Sequence, residues 1–179
     1  NGNIRRNQLS DFTNIRQNGK IAMKLNENDE LVSVIPCGEK DNILLATRLG
    51  KAIRFDVHDV RVFVGRGSSG VRGIKLKPND FVVSMSLIPN EEKRFVLSVT
   101  ENGFGKRTPI DDYRKTNRGG QGVANIECST RNGPVVASYV ASEDDQIMLV
   151  TNSGKLIRIR VHGGEGDSIR VAGRKTQGC

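Results

Sequence analysis

A glycine followed four residues later by an arginine occurs four times at nearly even intervals along this 179-residue chain. The four pairs are Gly2/Arg6, Gly50/Arg54, Gly103/Arg107 and Gly154/Arg158. The glycines lie 48, 53 and 51 residues apart, so a unit of about fifty residues repeats. A period of this size is typical of propellers, solenoids and other arrays. We therefore expect one repetitive domain whose small aliphatic cores are shared between neighbouring units.

Each unit is predicted to consist of short β-strands joined by tight turns. Short β-branched runs bounded by Asn-Gly, Ser-Gly and Pro-Asn favour hairpins. No window shows a sustained 3.6-residue apolar period, and Gly and Pro recur too often for long helices. The predicted strands cover residues 43–47, 51–55, 60–64, 71–76, 81–87, 95–100, 105–107, 123–128, 135–140, 147–151 and 155–160. The predicted fold class is all-β, with propeller-like blades.

The repeat also predicts where the units begin and end. The first unit enters at the turn and lacks an opening strand, and its register follows from matching residues 19–25 to residues 70–76. We predict one domain, 1–179, made of a partial blade 1–40, blades 41–90 and 91–142, and a partial blade 143–179.

The charge of the chain indicates the kind of partner. Lys and Arg number 28 against 20 Asp and Glu, which gives a formal net charge of +8. A strongly basic domain favours a polyanionic partner, and nucleic acid is the leading candidate. Three widely spaced cysteines fit a reducing cytosol, and no apolar stretch approaches the length of a membrane span. We expect a cytoplasmic protein without a membrane partner.

No motif predicts catalysis or metal binding. Residues 65–70 match G-x-G-x-x-G by letter, but a dinucleotide site needs a helix after the last glycine, and a strand is predicted there. His58 and His162 occupy similar blade positions, which the repeat itself explains. The pairs Asp111-Asp112 and Asp144-Asp145 are adjacent, and neighbours in an extended chain point apart. We predict no catalytic, metal or cofactor site in this stretch.

The basic residues recur at two places in the unit. One set accompanies the Gly–Arg pairs, and a second set lies just before the glycine of the loop that follows. Because equivalent positions of an array line one edge, we expect a continuous basic track that binds phosphates without reading sequence. The predicted contact residues are Arg5, Arg6, Arg16, Lys20, Lys51, Arg54, Arg61, Arg66, Lys106, Arg107, Arg114, Lys115, Arg118, Lys155, Arg158, Arg170, Arg174 and Lys175.

Duplex DNA is a better expected ligand than single-stranded RNA. Base stacking on single strands needs exposed aromatic side chains. Phe55, Phe63, Phe81 and Phe95 mostly occupy apolar strand runs and are predicted to be core. A track of spread-out charges suits a duplex that bends around a rim.

Four segments carry a specific pattern: residues 71–76, residues 100–109 followed by 113–114, residues 131–136 and residues 173–178. Together they resemble the C-terminal domain of bacterial DNA gyrase A. The resemblance implies a six-bladed β-pinwheel in which neighbouring blades exchange strands and DNA wraps around a basic rim. The corresponding C-terminal domain of topoisomerase IV is similar and remains an alternative, as does a propeller-like module that binds acidic proteins.

The resemblance also implies partners and an enzyme context. The domain would support negative supercoiling by DNA gyrase, an ATP-dependent type IIA topoisomerase, together with the remainder of gyrase A and with gyrase B in a heterotetramer. It would lie at the nucleoid, and ATP and Mg²⁺ would act elsewhere in the holoenzyme. No catalytic residue is expected in this chain.

Three departures from the family pattern are visible. The box Gln-Arg-Arg-Gly-Gly-Lys-Gly is missing, and residues 118–122 are its degenerate counterpart. About four extra residues lie around 163–166, where a loop is expected. No closing strands follow Gly178, so we expect an incomplete ring.

Overall fold

The fold is all-β, as predicted. A computed structural model describes residues 1–89, 93–163 and 168–179. Its strands are β1 (Asn3–Ile4), β2 (Asn42–Thr47), β3 (Lys51–Asp56), β4 (Val71–Arg72), β5 (Val82–Ile88), β6 (Phe95–Thr100), β7 (Gly105–Pro109), β8 (Val123–Ala124), β9 (Val135–Ala141), β10 (Gln146–Val150) and β11 (Leu156–Arg160). Short 3-10 helices cover Leu9–Phe12, Val57–Asp59 and Ile110–Asp112.

A β-hairpin occurs at the equivalent position of three successive units. Strands β2 and β3 pair antiparallel with Ala46 opposite Ala52, and β5 pairs with the other edge of β2. Strands β6 and β7 form the next hairpin, with β9 on the far edge of β6. Strands β10 and β11 form the third. The predicted hairpins are therefore confirmed in all three places.

Neighbouring units exchange strands. Strand β4 pairs with β1 of the preceding unit, with Val71 opposite Ile4. Strand β8 pairs with β3, with Val123 opposite Ala52, and becomes the fourth strand of that sheet. Gly105 and Cys179 likewise exchange two backbone hydrogen bonds of 2.9 and 3.0 Å. Among the described strands none joins the β10–β11 hairpin to β1, so the sheets form an open series.

Three predicted strands are shorter than expected. Residues 60–64 contribute a single bridge at Val62, and the strands predicted at 71–76 and 123–128 end at Arg72 and Ala124. The last two end early because two consecutive N–H groups converge on one carbonyl of the preceding turn. Gly73 and Ile74 both donate to the Gly2 oxygen in this way, which takes the chain out of the ladder. The equivalent donors of the next unit, Asn125 and Ile126, converge on the oxygen of Gly50.

The repeated glycines permit this close contact between units. Gly50 has φ +80°, and a Cβ there would lie 2.1 Å from the carbonyl oxygen of Ile126. Gly122 has φ +71°, and its Cβ would lie 2.3 Å from the oxygen of Ala52. Both positions therefore need the left-handed backbone and the missing side chain that glycine supplies.

The core is divided among the units. One cluster surrounds Phe55 and Ile74, a second contains Val96 and Tyr113, and a third contains Val161. The prediction that the phenylalanines are core holds for Phe55 and Phe63 but is wrong for Phe81, which is 51% exposed. Phe81 precedes β5 and lies beneath the guanidinium of Arg48, 5.6 Å from the ring centre.

Candidate nucleic-acid interface

The arginines of the Gly–Arg pairs lie where one unit meets the next. Three of them form parallel bridges to the following loop, and their carbonyl oxygens accept hydrogen bonds of 2.8–2.9 Å from that loop. The bridged pairs are Arg6 with Val62, Arg54 with Lys115 and Arg107 with Val171. The backbone repeat thus marks a junction between units.

The side chains of two of these arginines also donate hydrogen bonds across the junction between units. Arg54 donates from Nε to Oδ1 of Asn42 over 3.0 Å and from Nη1 to the carbonyls of Ile110 and Tyr113. Arg107 is 5% exposed and donates from Nε to the Ile169 oxygen over 2.8 Å. Both guanidinium groups join a hairpin to the next unit.

The other two arginines of the Gly–Arg pairs, Arg6 and Arg158, have surroundings different from those of Arg54 and Arg107. The Nη1 atom of Arg6 lies 3.3 Å from Oε2 of Glu39, and its side chain is 14% exposed. Arg158, on β11, is exposed. The predicted track through these four arginines is therefore not continuous on the surface.

Lys106 is buried as well. Its ammonium donates to the carbonyl of Gly173 over 2.6 Å and to Oγ1 of Thr108 over 3.1 Å. Burial, reinforced by the charge of Arg174, lowers the pKa of Lys106 to about 8. The expectation that Lys106 and Arg107 lie on an exposed rim is corrected, because both side chains bind carbonyl groups of the next unit.

The loop arginines form a repeated latch. In three successive units the Nη1 atom donates to a backbone carbonyl at one equivalent place of the preceding unit. The pairs are Arg66 with Ile21 at 3.0 Å, Arg118 with Arg72 at 2.9 Å and Arg174 with Ala124 at 3.1 Å. Because these three side chains remain half-exposed, each is fixed at the surface by this bond. The latch therefore gives each loop a set position.

The loop backbone repeats the same docking. In three equivalent pairs an amide of the exchanged segment donates to a carbonyl of the following loop. The pairs are Lys24 to Ser68 at 3.1 Å, Lys75 to Gly120 at 2.8 Å and Glu127 to Thr176 at 2.9 Å. Each loop is thus bound to its neighbour by side chain and main chain.

A column of exposed arginines follows from this docking. Arg61, Arg114 and Arg170 each stand one residue before the loop residue bridged to a Gly–Arg arginine, and all three are exposed. Arg61 lies 3.9 Å from the ring centre of Phe63. Nη1 of Arg170 lies 3.6 Å from Sγ of Cys179. The docked loops therefore hold three equivalent cations in solvent.

The remaining predicted cations differ in exposure and in bonding partners. Lys115 is exposed and lies 2.9 Å from an oxygen of Asp56. Arg5 donates to the carbonyl and hydroxyl oxygens of Ser68. Lys20 donates to the carbonyl of Asp11, and Lys51 is half-buried. The others, Arg16, Lys155 and Lys175, are exposed.

Sequence reasoning missed several exposed cations. Arg72, Lys75 and Lys77 are exposed on and beside β4, next to the latch of Arg118. Lys75 could have been found, because Lys24 stands at the equivalent position of the preceding unit. Arg72 could not, since Ile21 and Ala124 occupy its equivalents.

The described residues contain no group of three or more His, Cys, Asp or Glu side chains placed to hold a metal ion. His58 lies 3.5 Å from Glu39, and Nδ1 of His162 accepts from Arg107 over 3.2 Å. The insertion noted around 163–166 falls mostly outside the described residues. No helix in the described part of the chain has the length and apolarity to cross a membrane.

Comparison with known proteins places these features in a family. The family model described as DNA gyrase C-terminal domain, beta-propeller matches residues 1–38, 41–89, 94–133 and 145–178. The DNA gyrase A protein of Rickettsia felis is 40% identical over 99% of the chain, as is that of Staphylococcus epidermidis. The matches cover 24% and 19% of those relatives, so the chain spans about a quarter or less of their length.

Two solved structures share the architecture. The C-terminal domain of DNA topoisomerase IV superposes with a TM-score of 0.90 at 26% identity, over 100% of this chain and 54% of that one. The DNA gyrase A C-terminal domain superposes with a TM-score of 0.83 at 31% identity, over 99% of this chain and 57% of that one.

Proposed function

The chain belongs to the DNA gyrase C-terminal domain family, and from that premise we propose that it binds duplex DNA without sequence preference and bends it along its exposed cationic loops. The exposed column Arg61, Arg114 and Arg170 carries the proposal. Three equivalent guanidinium groups on successive docked loops match a ligand whose charge also repeats. A phosphate backbone is such a ligand, and contacts to it position a duplex without reading bases.

The latches support binding that bends the duplex. Arg66, Arg118 and Arg174 are each fixed by a hydrogen bond to the preceding unit. Cations whose relative positions are fixed impose the shape of the protein on a duplex that follows them. Bending has an elastic cost, which many spread-out phosphate contacts offset.

The wider role is proposed from the family. In a gyrase the domain would present bent or wrapped DNA to the strand-passage machinery and so support ATP-dependent negative supercoiling. Its partners would be duplex DNA, the remainder of gyrase A and gyrase B, in the cytoplasm at the nucleoid. ATP and Mg²⁺ would be used in other regions. The buried contacts of Lys106 and Arg107 support a DNA-contacting set made up of the exposed loop cations.

Two alternatives have support. The close superposition on the topoisomerase IV domain favours the corresponding role in that enzyme. A module that binds acidic proteins is compatible with the same charge. These two possibilities differ in their test, since the second predicts no salt-dependent binding to DNA.

The first test is the salt dependence of duplex binding. Each neutralised phosphate contributes about −0.9 to the slope of log affinity against log salt. We expect R114A/R170A to flatten the slope by about 2 if each arginine contacts one phosphate. The matched control K40A/R131A removes the same charge from turns at residues 38–41 and 130–133, outside the predicted set, and it should leave the slope nearly unchanged. Equal slopes for both variants would contradict the proposed interface.

A topology assay separates wrapping from simple binding. Nicked circular DNA is ligated in the presence of increasing amounts of the 179-residue chain and its linking number is measured. A dose-dependent positive shift supports chiral wrapping. Salt-sensitive binding without a shift restricts the role to binding and bending. Absence of binding at low salt would reject the DNA proposal and favour the protein-binding module.

A further inference from the structure

Three surface positions recur beside each docked loop, and the charge at these positions differs between units. The docked loops are residues 61–70 (first), 114–122 (second) and 170–178 (third). The three positions are the residue whose carbonyl accepts the latch, the residue whose amide donates to the loop, and the arginine of the exposed column. Because the same backbone contacts fix these positions in each unit, the side chains that occupy them can be compared directly.

The second docked loop has a cation at all three positions. Arg72, Lys75 and Arg114 are exposed, and none of them forms a salt bridge to a described residue. Like charges around one loop repel one another. A polyanion that reaches the loop would neutralise all three together.

The other two docked loops carry less positive charge at these positions. The occupants at the first loop are Ile21, Lys24 and Arg61. The occupants at the third loop are Ala124, Glu127 and Arg170. Glu127 is exposed, so a negative charge lies in solvent at the position that lysine holds in the two preceding units. The positive charge is therefore greatest at the second loop and is cancelled at the third.

The second docked loop is also held directly by the residues that carry its cations. Arg118 donates to the carbonyl of Arg72 over 2.9 Å and to that of Asp59 over 2.7 Å. The amide of Lys75 donates to the Gly120 oxygen over 2.8 Å. Because these bonds fix the backbone of Arg72 and Lys75 relative to the loop, a phosphate backbone meets cations that need little reordering.

Resting on the proposed DNA binding, we propose that the second docked loop is the anchor of the duplex and that Glu127 makes the third docked loop the weakest contact. Lysine and arginine bind phosphates without reading bases, so the affinity of each loop follows its local positive charge. A duplex long enough to reach all three loops is held most tightly at the second. The basic rim is therefore graded along the chain and not uniform.

The first experiment asks which loop a short duplex prefers. It uses the full 179-residue chain and a labelled duplex of about 11 base pairs, one helical turn. The variants R61A, R114A and R170A remove the same side chain from the same position of the three loops. Fluorescence anisotropy measures binding, and thermal melting should be unchanged because all three arginines are exposed.

We expect R114A to bind the short duplex about tenfold more weakly, the size of one net hydrogen bond to a charged group. R170A should weaken binding by less than about threefold, as for an exposed ion pair. R61A should fall between the two, because the first loop keeps one of the two additional cations.

The second experiment reverses the charge at the third loop and uses a duplex of about 40 base pairs, which can bend along the rim. E127K should add one phosphate contact and steepen the salt slope by about 0.9, so that its affinity falls about 3.5-fold more than that of the wild type between about 50 and 200 mM salt. The control E101K makes the same charge change in the exposed turn of the β6–β7 hairpin and should leave the slope nearly unchanged.

The outcomes separate the graded rim from the proposed function. If the wild-type chain binds both duplexes with a steep salt slope and the three arginine variants lose equal affinity, the anchor is overturned and DNA binding stands. Equal slopes for E127K and E101K overturn the role of Glu127. If the wild-type chain does not bind DNA at low salt, both proposals fail.

Discussion

Tyr113 donates its hydroxyl hydrogen to Oδ1 of Asn125 over 2.6 Å, in a part of the core closed to solvent. Ser98 donates to the same oxygen, and Nδ2 of Asn125 donates to the hydroxyl of Ser138. The four side chains form a buried polar network in the blade built on β6. In the preceding blade the equivalent positions hold an apolar set, Val60, Gly73, Leu45 and Met85. The same backbone arrangement thus holds a hydrogen-bonded polar set in one blade and an apolar set in the other.

We expect Y113F to destabilise the fold by about 1–2 kcal/mol, because the hydrogen bond from the tyrosine hydroxyl to Asn125 is lost inside the core. Urea unfolding measures the change. The control Y139F alters a tyrosine that is 54% exposed and should change stability by less than about 0.5 kcal/mol. Equal effects of the two variants would argue against an energetic role for the network.

The lowered pKa of Lys106 predicts that the stability of the fold rises with pH over part of the alkaline range. Its folded pKa of about 8 lies below the ordinary lysine value of 10.5. Between those values the unfolded chain binds more protons, so raising the pH favours the folded state. The free energy of unfolding of the wild type should therefore rise relative to that of K106M as pH increases from about 8 to 10.5.

The comparison with K106M cancels the titration of other groups, including Tyr113, whose pKa burial raises. Chemical unfolding at several pH values gives the difference. The exposed Lys75 supplies the control K75M, whose difference from the wild type should stay flat. Parallel plots of unfolding free energy against pH for K106M and the wild type would refute the lowered pKa of Lys106.

Gly122 should tolerate no side chain. In G122A the new Cβ would lie 2.3 Å from the Ala52 oxygen at φ +71°, and we expect a loss of about 2–4 kcal/mol. Gly173 is not among the glycines with positive φ, and a Cβ there would meet no atom within 4 Å, so G173A is the matched control. Thermal melting compares the two, and a neutral G122A would contradict the close approach of the units.

Arg118 and Arg114 should separate stability from DNA affinity. Arg118 donates to the carbonyls of Asp59 at 2.7 Å and Arg72 at 2.9 Å, so R118A should cost about 1–3 kcal/mol. Arg114 is exposed, so R114A should leave stability within about 0.5 kcal/mol and weaken duplex binding. Melting and binding are measured on both variants. A destabilised R114A with unchanged DNA affinity would reverse the assigned roles.

The repeat and the hairpins could be predicted because turn glycines and apolar runs are local signals. The roles of the repeated basic residues could not. Arg54 and Arg107 share their spacing with the exposed Arg158, and only the docking of the next loop shows that their guanidinium groups bind carbonyls. Repetition marks any position that the architecture needs, whether it faces solvent or a neighbouring unit.

The polar network was hidden for a different reason. Ser98 and Ser138 face each other across β6 and β9, and Asn125 arrives from an exchanged segment. No sequence window contains all of these residues. The exposure of Val64 was concealed as well, since residues 60–64 resemble a buried strand until the docked loop shows its side chain in solvent.

The exchanged strands set where this chain can be divided. The edge of β3 is covered by β8, which lies about seventy residues further along the sequence. A truncation between Asp56 and Val123 would strip that edge, and unprotected sheet edges invite aggregation. The segment that can be removed without breaking a strand pairing therefore begins and ends at different residues from the fifty-residue sequence repeat. Recombination or engineering that adds or removes a blade must break the chain in phase with the exchange, not at the ends of the fifty-residue unit.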